Sequence, residues 1–349
     1  IGIGASALPG DRWLAGIAQL IGGGGLATLQ LLIGWWLWQS LFAFFYRLRW
    51  QKIFFLGLLF NLMMHLVGWN LLNEGVSSST KLVAIWQPDI PIREKFSNEQ
   101  KKLLPYSLQN AINKADEYDA DFLIAPEGTL SANQELLAPT PVKILTGGFR
   151  LVNGKQRNSL LFFDIGKKQF TSAIDKNRLV PLGEWVPQLP GFSIVGLSAV
   201  GGIEKGSSPR IFLWNGPPFA ASICYELSNG KAISNAVFDG AQWILATANL
   251  DPYPMALQRQ FLSLAQLRSI ENSREIITAA NNGPSSWINS EGKVRVSLPS
   301  FEEGFGVSLL RLKKTKTIYT RFGEAPLISL LLLGTFFYYF DLIKEKKLF

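Results

Sequence analysis

Three stretches of this chain carry almost no polar positions. The first runs from Leu26 to Tyr46 (LATLQLLIGWWLWQSLFAFFY) without a charge, and the second from Ile53 to Leu72. The third is LISLLLLGTFFYYF, after Pro326. A helix needs about 20 mostly apolar residues to cross a bilayer core, so all three are predicted spans, the last extended by apolar flanks. Ahead of the first, WLAGIAQLIGGGG is apolar but interrupted by Gly22 to Gly25. Four glycines favour irregular backbone, so a loop or re-entrant piece is expected there. Trp50 and Trp69 fall near the predicted interfaces, whereas Trp35, Trp36 and Trp38 fall mid-span, where a lipid-facing position is expected.

The pattern changes after the polar linker Glu74–Thr80 (EGVSSST). Short apolar runs predict strands at Leu82–Trp86, Phe122–Ala125, Ile144–Phe149, Ser159–Phe163, Phe170–Ile174, Ile211–Trp214, Phe219–Cys224, Trp243–Thr247 and Ile276–Ala280. Helices are predicted at Asn98–Tyr118, Gly230–Phe238 and Met255–Ser273, the last with Leu257, Phe261, Leu264 and Leu267 on one buried face. Strands alternating with helices read as one α/β domain with a large mixed sheet. The organisation expected is a transmembrane segment over residues 1–75, an α/β domain over 76–320, and a C-terminal transmembrane helix with a basic tail over 321–349. The stretch Trp185–Pro209 is apolar, rich in Gly and Pro, and irregular. It is either a lid dipping into a bilayer, with Trp185 and Phe192 among its apolar tips, or a loop packed on its own domain.

Charge orients this arrangement. Arg47, Arg49 and Lys52 crowd the link between the first two spans, and Lys344, Lys346 and Lys347 follow the third. Under the positive-inside rule both clusters are cytoplasmic, which places the α/β domain on the opposite side. Only 17% of the 349 residues are charged, against about 25% in soluble domains. The net charge of +8 is spread thinly: residues 76–320 hold 26 basic and 21 acidic side chains, the flanks 8 and 5. There is no polybasic run of the kind that neutralises phosphates, so nucleic acid is not an expected partner. The chain begins at Ile1 rather than Met, and sequence upstream of it is expected.

Two scarce residue types narrow the chemistry. The one cysteine, Cys224, excludes an intrachain disulfide and a cysteine-rich metal site. The one histidine, His65, lies in a predicted span, so imidazole-assisted catalysis in the α/β domain is not expected. Cys224 ends a strand (FAASIC) and precedes Tyr225 and Glu226. Taken alone it is either a small buried hydrophobe or a nucleophile. Glu127, in DFLIAPEGTL, follows a strand that Pro126 is expected to end, at the sheet edge where α/β folds bind ligands. It is either a cap or a base. Lys176 (IDKNRLVPLGEWVP) is ordinarily a solvated charge, but it too ends a strand. Spaced about 50 residues apart, the three can perform acyl transfer together. The carboxylate takes the thiol proton, the thiolate attacks a carbonyl, and the ammonium holds the oxyanion.

These strings (PEG, a lysine followed by Glu184 eight residues on, and CYE) resemble the nitrilase superfamily of carbon–nitrogen hydrolases. Within it the chain is similar to the membrane-embedded bacterial apolipoprotein N-acyltransferase family. KNRLVPLGEWVP and SICYE resemble that family's lysine and cysteine segments. ATAN, ending at Asn249, and the R-x-x-E-x-x-R of Arg268, Glu271 and Arg274 agree more loosely. Two departures are visible: the family usually has several more spans upstream, and PEGTL replaces the more usual PE-[TS]-A. The resemblance implies a nitrilase-like α-β-β-α sandwich inserted between transmembrane helices, on the periplasmic face of the bacterial inner membrane. It implies that Cys224 carries an acyl chain from a phospholipid as a thioester to the α-amino group of a diacylglyceryl-cysteine apolipoprotein. Glu127 would be the base and Lys176 the oxyanion stabiliser. Glu184 and Glu226 would be supporting carboxylates, Tyr225 a pocket-lining neighbour, and Asn249 a further substrate-side residue; Trp185 and Phe192 are expected on the substrate side from the apolar 185–209 stretch itself, as part of a groove for the acyl chain. No cofactor or metal is implied, and a monomer is expected. A membrane-tethered amidase and a non-catalytic lipoprotein-binding scaffold remain the other readings.

Overall fold

In a computed structural model, residues 3–72, 75, 77–95, 97–181, 183–184, 202–207 and 209–346 are described. Most of the Trp185–Pro209 stretch, Trp185 and Phe192 included, therefore lies outside the described residues. The N-terminal arm consists of a short helix α1 (Arg12–Ala15) and two long ones, α2 (Ala18–Phe45) and α3 (Trp50–Leu71). At 1.5 Å per residue α2 is about 42 Å long and α3 about 33 Å, each enough to cross a bilayer core of roughly 30 Å. Both pass the length and hydropathy requirement for a membrane span. Their apolar side chains point outward, Trp35 and Trp38 being more than 60% exposed. A soluble protein would not tolerate that much exposed apolar surface. Trp36 departs from the lipid-facing expectation. Its indole N–H donates to the Ile53 carbonyl across the helix pair at 3.0 Å. The ring occupies the space at Gly57, where a Cβ would lie 1.9 Å from Nε1.

The glycine run is not a loop. Helix α2 continues through Gly23, Gly24 and Gly25, and only Gly22 leaves helical geometry, at φ 67 and ψ −179. Contacts from the α/β domain hold this break, which overrides the low helix propensity of glycine. A Cβ at Gly22 would lie 2.2 Å from the Tyr319 ring. The third apolar stretch forms α9 (Ala325–Lys346), preceded by α8 (Ile318–Phe322).

Between these flanks lie two six-stranded sheets, not the single mixed sheet expected from residue patterning alone. The first has the order β12-β1-β2-β3-β4-β5 and the second β11-β10-β9-β8-β7-β6. The first contains β1 (Ser79–Gln87), β2 (Phe122–Leu130), β3 (Lys143–Val152), β4 (Lys155–Phe163), β5 (Ser172–Asp175) and β12 (Gly304–Leu312). The second contains β6 (Ile211–Phe212), β7 (Phe219–Ile223), β8 (Trp243–Ala248), β9 (Ile276–Ala280), β10 (Ser286–Ile288) and β11 (Val294–Ser297). Strands β1, β2 and β3 run parallel, as do β7, β8 and β9. The last three strands in sequence were not predicted. They are short or glycine-bearing, and β12 is completed only by its antiparallel register on β1, from Ser79 opposite Leu312 to Gln87 opposite Gly304.

Alternation along the strands explains the layering. In the first sheet Val83, Ile85, Phe122 and Ile124 pack inward with Phe219, Ile223 and Trp243 of the second sheet. Their neighbours Ala84, Trp86, Leu123 and Ala125 face outward under Leu104, Leu108 and Ile112. Those three belong to α5 (Asn98–Glu117), which follows the short α4 (Ile92–Lys95). Outside the second sheet lie α6 (Gly230–Phe238) and α7 (Met255–Asn272), against β7 and β9. The result is the α-β-β-α sandwich, with apolar helices before and after it in sequence.

Candidate active site

Strand β2 does not stop at Pro126. It runs on to Leu130, and its pairing with β3 shifts between Ala125 and Leu130. Such a bulge re-aims side chains, and here it turns Glu127 into the protein. The close approach requires glycine at the neighbouring position of β3, since a Cβ at Gly147 would lie 2.4 Å from the Glu127 Cα. Lys176 follows the end of β5, and its N–H donates to the Asn158 carbonyl. Cys224 follows β7 and opens a 3-10 turn, Cys224–Ser228. Its φ of 53 places a non-glycine residue in the left-handed region, a conformation that costs on the order of 1–3 kcal/mol. A strained residue at a parallel strand's carboxyl end is a recurrent way to present a nucleophile.

The structure brings Glu127, Lys176 and Glu184 into one buried cluster. Lys176 Nζ lies 3.0 Å from Glu127 Oε1 and 2.8 Å from Glu184 Oε1. Asn158 Nδ2 donates to the same two oxygens at 2.7 and 3.1 Å. The Asn249 N–H donates to Glu127 Oε2 at 2.9 Å, and the Val180 N–H to Glu184 Oε2 at 2.9 Å. Asn158 carries no signal in the sequence: it sits among the polar residues Gln156, Arg157 and Ser159 at the start of β4, and nothing local sets it apart from them. Tyr253, equally unmarked in the sequence, is half-buried, and its hydroxyl is pushed up first by burial and then by Cys224 and Glu127 nearby.

Glu226 does not join this cluster. It accepts from the N–H groups of Asn177 (2.6 Å) and Arg178 (3.1 Å) through Oε1. Through Oε2 it accepts from the Ile223 N–H (2.9 Å) and Arg210 Nη2 (2.6 Å). Arg210 also donates to the carbonyls of Asp175 and Ala221. The pair thus ties the residues after Lys176 to the residue before Cys224. Tyr225 points outward, partly exposed, with the Arg178 guanidinium 4.7 Å above its ring.

The electrostatics follow from burial and an uneven charge count. Burial alone would push Glu127 up, but the Lys176 ammonium and the bonds from Lys176, Asn158 and Asn249 outweigh it. The carboxyl is held below its ordinary value and is ionised. Burial disfavours the Lys176 ammonium, yet Glu127, the Cys224 site and Glu184 raise its pKa above the ordinary lysine value. Cys224 is pushed well up, first by burial and then by Glu127, with Lys176 offsetting part of the effect. Two carboxylates face one ammonium, so the resting thiol keeps its proton. Among the described residues no group of three or more metal-ligating side chains occurs.

No family model matches the chain. It is 54% identical over 332 residues to an apolipoprotein N-acyltransferase of Prochlorococcus marinus strain SARG, covering 95% of this chain and 67% of that protein. A second, from Parasynechococcus marenigrum, is 42% identical over 92% of this chain and 68% of the relative. One from Vibrio vulnificus is 26% identical over 91% and 66%. The chain thus spans about two thirds of the length of these relatives. Among solved structures, Saccharomyces cerevisiae Nit3 of the nitrilase superfamily matches with TM-score 0.51 and 13% identity, over 68% of this chain and 92% of Nit3. A Nesterenkonia amidase of the same superfamily matches with TM-score 0.51 and 14% identity, over 74% of this chain and all of the amidase. At such identities the solved structures establish the nitrilase fold, and the sequence relatives establish the family: this chain belongs to the apolipoprotein N-acyltransferases.

Proposed function

We propose that this protein transfers an acyl chain from a phospholipid, through a thioester on Cys224, to the α-amino group of a diacylglyceryl-cysteine apolipoprotein. The observation that carries this reading is a lone strained thiol at a strand end, electrostatically coupled to a buried Glu–Lys–Glu cluster, beside long outward-facing apolar helices. Residues 76–320 would form the catalytic domain on the periplasmic side of the inner membrane, with the apolar helices of residues 1–75 and 321–349 in the bilayer. The protein would act as a monomer without a cofactor.

Because Glu127 is held low and Cys224 high, a standing thiolate–carboxylic acid pair is unfavourable. Glu127 therefore takes the thiol proton as the sulfur attacks the phospholipid ester carbonyl, not beforehand. The C–S bond forms and charge moves onto the carbonyl oxygen. Lys176 has three N–H groups, two of them directed at Glu127 and Glu184. The third is available to the oxyanion. Collapse breaks the C–O bond, and the lysophospholipid oxygen leaves with the proton held by Glu127. In the second half the apolipoprotein amine attacks the thioester and Glu127 accepts its proton. The C–N bond forms, the C–S bond breaks, and the thiolate recovers a proton from Glu127. Glu184, through Lys176 and Asn158, orients the ammonium. The lipid donor has a physical rationale: each buried CH₂ contributes about 0.8 kcal/mol, and an acyl chain enters most cheaply from the bilayer plane.

The test is intact-protein mass spectrometry after mixing with a phospholipid of one acyl chain. The expected result is a hydroxylamine-labile gain of one acyl mass that is absent in Cys224→Ser and discharged by an apolipoprotein peptide. Discharge by water at the same rate would favour an amidase. No adduct on folded protein would favour a scaffold.

A further inference from the structure

Beyond the thiol site, the molecule holds a second buried ionic cluster, at the junction between the α/β domain and the apolar helix α2. Glu271, on α7, is fully buried. Its Oε1 accepts from the Gly23 N–H at 2.6 Å, and its Oε2 from Arg268 Nη1 at 2.6 Å. Gly23 is the first residue after the Gly22 break in α2. A break of this kind gives the segment beyond it a new helix N-terminus, whose leading amides lack carbonyls four residues back and carry the positive end of the helix dipole. Glu271 supplies the acceptor there, as a capping residue does; burial pushes its carboxyl up, Arg268 and the Gly23 N–H oppose this, and the nearby Glu324 adds to the rise. Glu271 comes from an element about 250 residues away in sequence.

The other half of the cluster reaches the start of α6, six residues after Cys224. The Arg268 guanidinium fills the space at Gly230, where a Cβ would lie 1.6 Å from Nη1. Gly230 begins α6, two residues after the 3-10 turn that Cys224 opens, and α7 packs against that turn. The glycines on both sides are needed for these approaches: a Cβ at Gly23 would lie 2.8 Å from Glu271 Oε1. Thr317, leading into α8, donates to the Glu271 carbonyl at 2.6 Å and adds a third element to the junction.

We infer that Glu271 is a positioning residue: it caps the membrane-facing helix at Gly23 and, through Arg268, sets the Cys224 turn at a fixed place relative to that helix. The inference rests on the reading that the acyl donor is a membrane lipid. A lipid donor delivers its ester only where the bilayer surface meets the thiol, whereas a small water-soluble ester arrives from any direction. The coupling therefore matters for the first and hardly for the second.

The experiment uses the full chain with two donors. One is vesicles of phosphatidylethanolamine and phosphatidylglycerol, read by mass gain on Cys224. The other is p-nitrophenyl butyrate, read by nitrophenolate release. Glu271→Ala is expected to slow acylation from vesicles at least tenfold and to change the butyrate rate less than threefold. Hydrogen–deuterium exchange is expected to rise in peptides covering residues 18–28 and 224–230. The double variant Arg268→Met/Glu271→Gln keeps an acceptor for the Gly23 N–H without burying an unpaired cation, and it should restore protection at 18–28. Equal losses with both donors, or no loss with vesicles, would overturn the inference. So would unchanged exchange at 18–28 in Glu271→Ala. If the wild type reacts with butyrate but never with vesicles, the lipid-donor reading fails, and the exchange data still decide the cap.

Discussion

The thiol site and the helix junction are built from the same parts and differ in what their surplus charge faces. At the junction Glu271 meets Arg268 and one backbone amide, and Glu324 adds a second carboxylate beside Tyr319. At the thiol site Lys176 faces both Glu127 and Glu184, and the surplus negative charge bears on Cys224. The junction cluster, with Glu271 held by Arg268 and the Gly23 N–H, is suited to holding elements together. The thiol cluster keeps a proton on the sulfur and a carboxylate beside it, which suits chemistry that begins only when a carbonyl arrives. A third cluster, Glu226 with Arg210, links the lysine and cysteine segments. Buried ionised groups alone thus do not mark a reactive site; an uncompensated one beside a nucleophile does.

The largest effect is expected for Glu127→Gln. Loss of the proposed base should reduce acyl-enzyme formation by about 10²–10⁴-fold, read by the rate of mass gain. Removing the same negative charge should lower the Cys224 pKa, so alkylation by iodoacetamide at pH 8 should speed up as transfer slows. Parallel losses in both would remove Glu127 from the base role.

Arg210→Leu should be next in size. It leaves Glu226 buried without its cation, which costs on the order of 3–5 kcal/mol, read as a large drop in thermal unfolding temperature. Arg210→Leu/Glu226→Leu should recover part of that loss. Failure to recover any would mean that the bonds from Glu226 to Asn177, Arg178 and Ile223 carry the effect.

The pH dependence sharpens the contrast further. With its pKa raised by burial and Glu127, Cys224 stays protonated through pH 9. An ordinary thiol gains roughly tenfold or more in thiolate between pH 7 and 9; alkylation of Cys224 over that range should change far less. At the acid end Glu127 is depressed. Its stabilising contribution is complete above the ordinary glutamate value and is lost as pH falls through its lower folded value, so Glu127→Gln should narrow the difference in unfolding midpoint between neutral and acid pH. The smallest effect is expected for Trp36→Phe in the helix pair. Losing the bond to the Ile53 carbonyl should cost on the order of 0.5–1 kcal/mol, seen as a slight fall in the unfolding midpoint in detergent.

Much of this was legible along the chain because it depends on neighbours in sequence. Eight predicted strands overlap observed ones with shifted ends, and β9 matches in full. The predicted and observed bounds of α6 coincide, and those of α5 and α7 agree to within one residue. The prediction ends β2 at Ala125 because proline normally ends a strand; the bulge that lets it continue depends on Gly147 in the next strand. Glu127, Lys176 and Cys224 were visible as polar punctuation at strand ends. Asn158 and Arg210 were not, since each looks like an ordinary polar residue until its partners from other strands are in place.

Composition and local pattern by themselves determined that this chain has long apolar helices, an α/β middle, one thiol and no usable imidazole. Those properties rest on periodicity and residue type, which need no partner. Only the tertiary structure decided that there are two sheets, that Glu127 turns inward, that two carboxylates share one ammonium, and that the glycine run is a capped helix. Each of these depends on contacts between residues tens to hundreds of positions apart, where burial raises the strength of every charge and hydrogen bond and local propensity no longer rules.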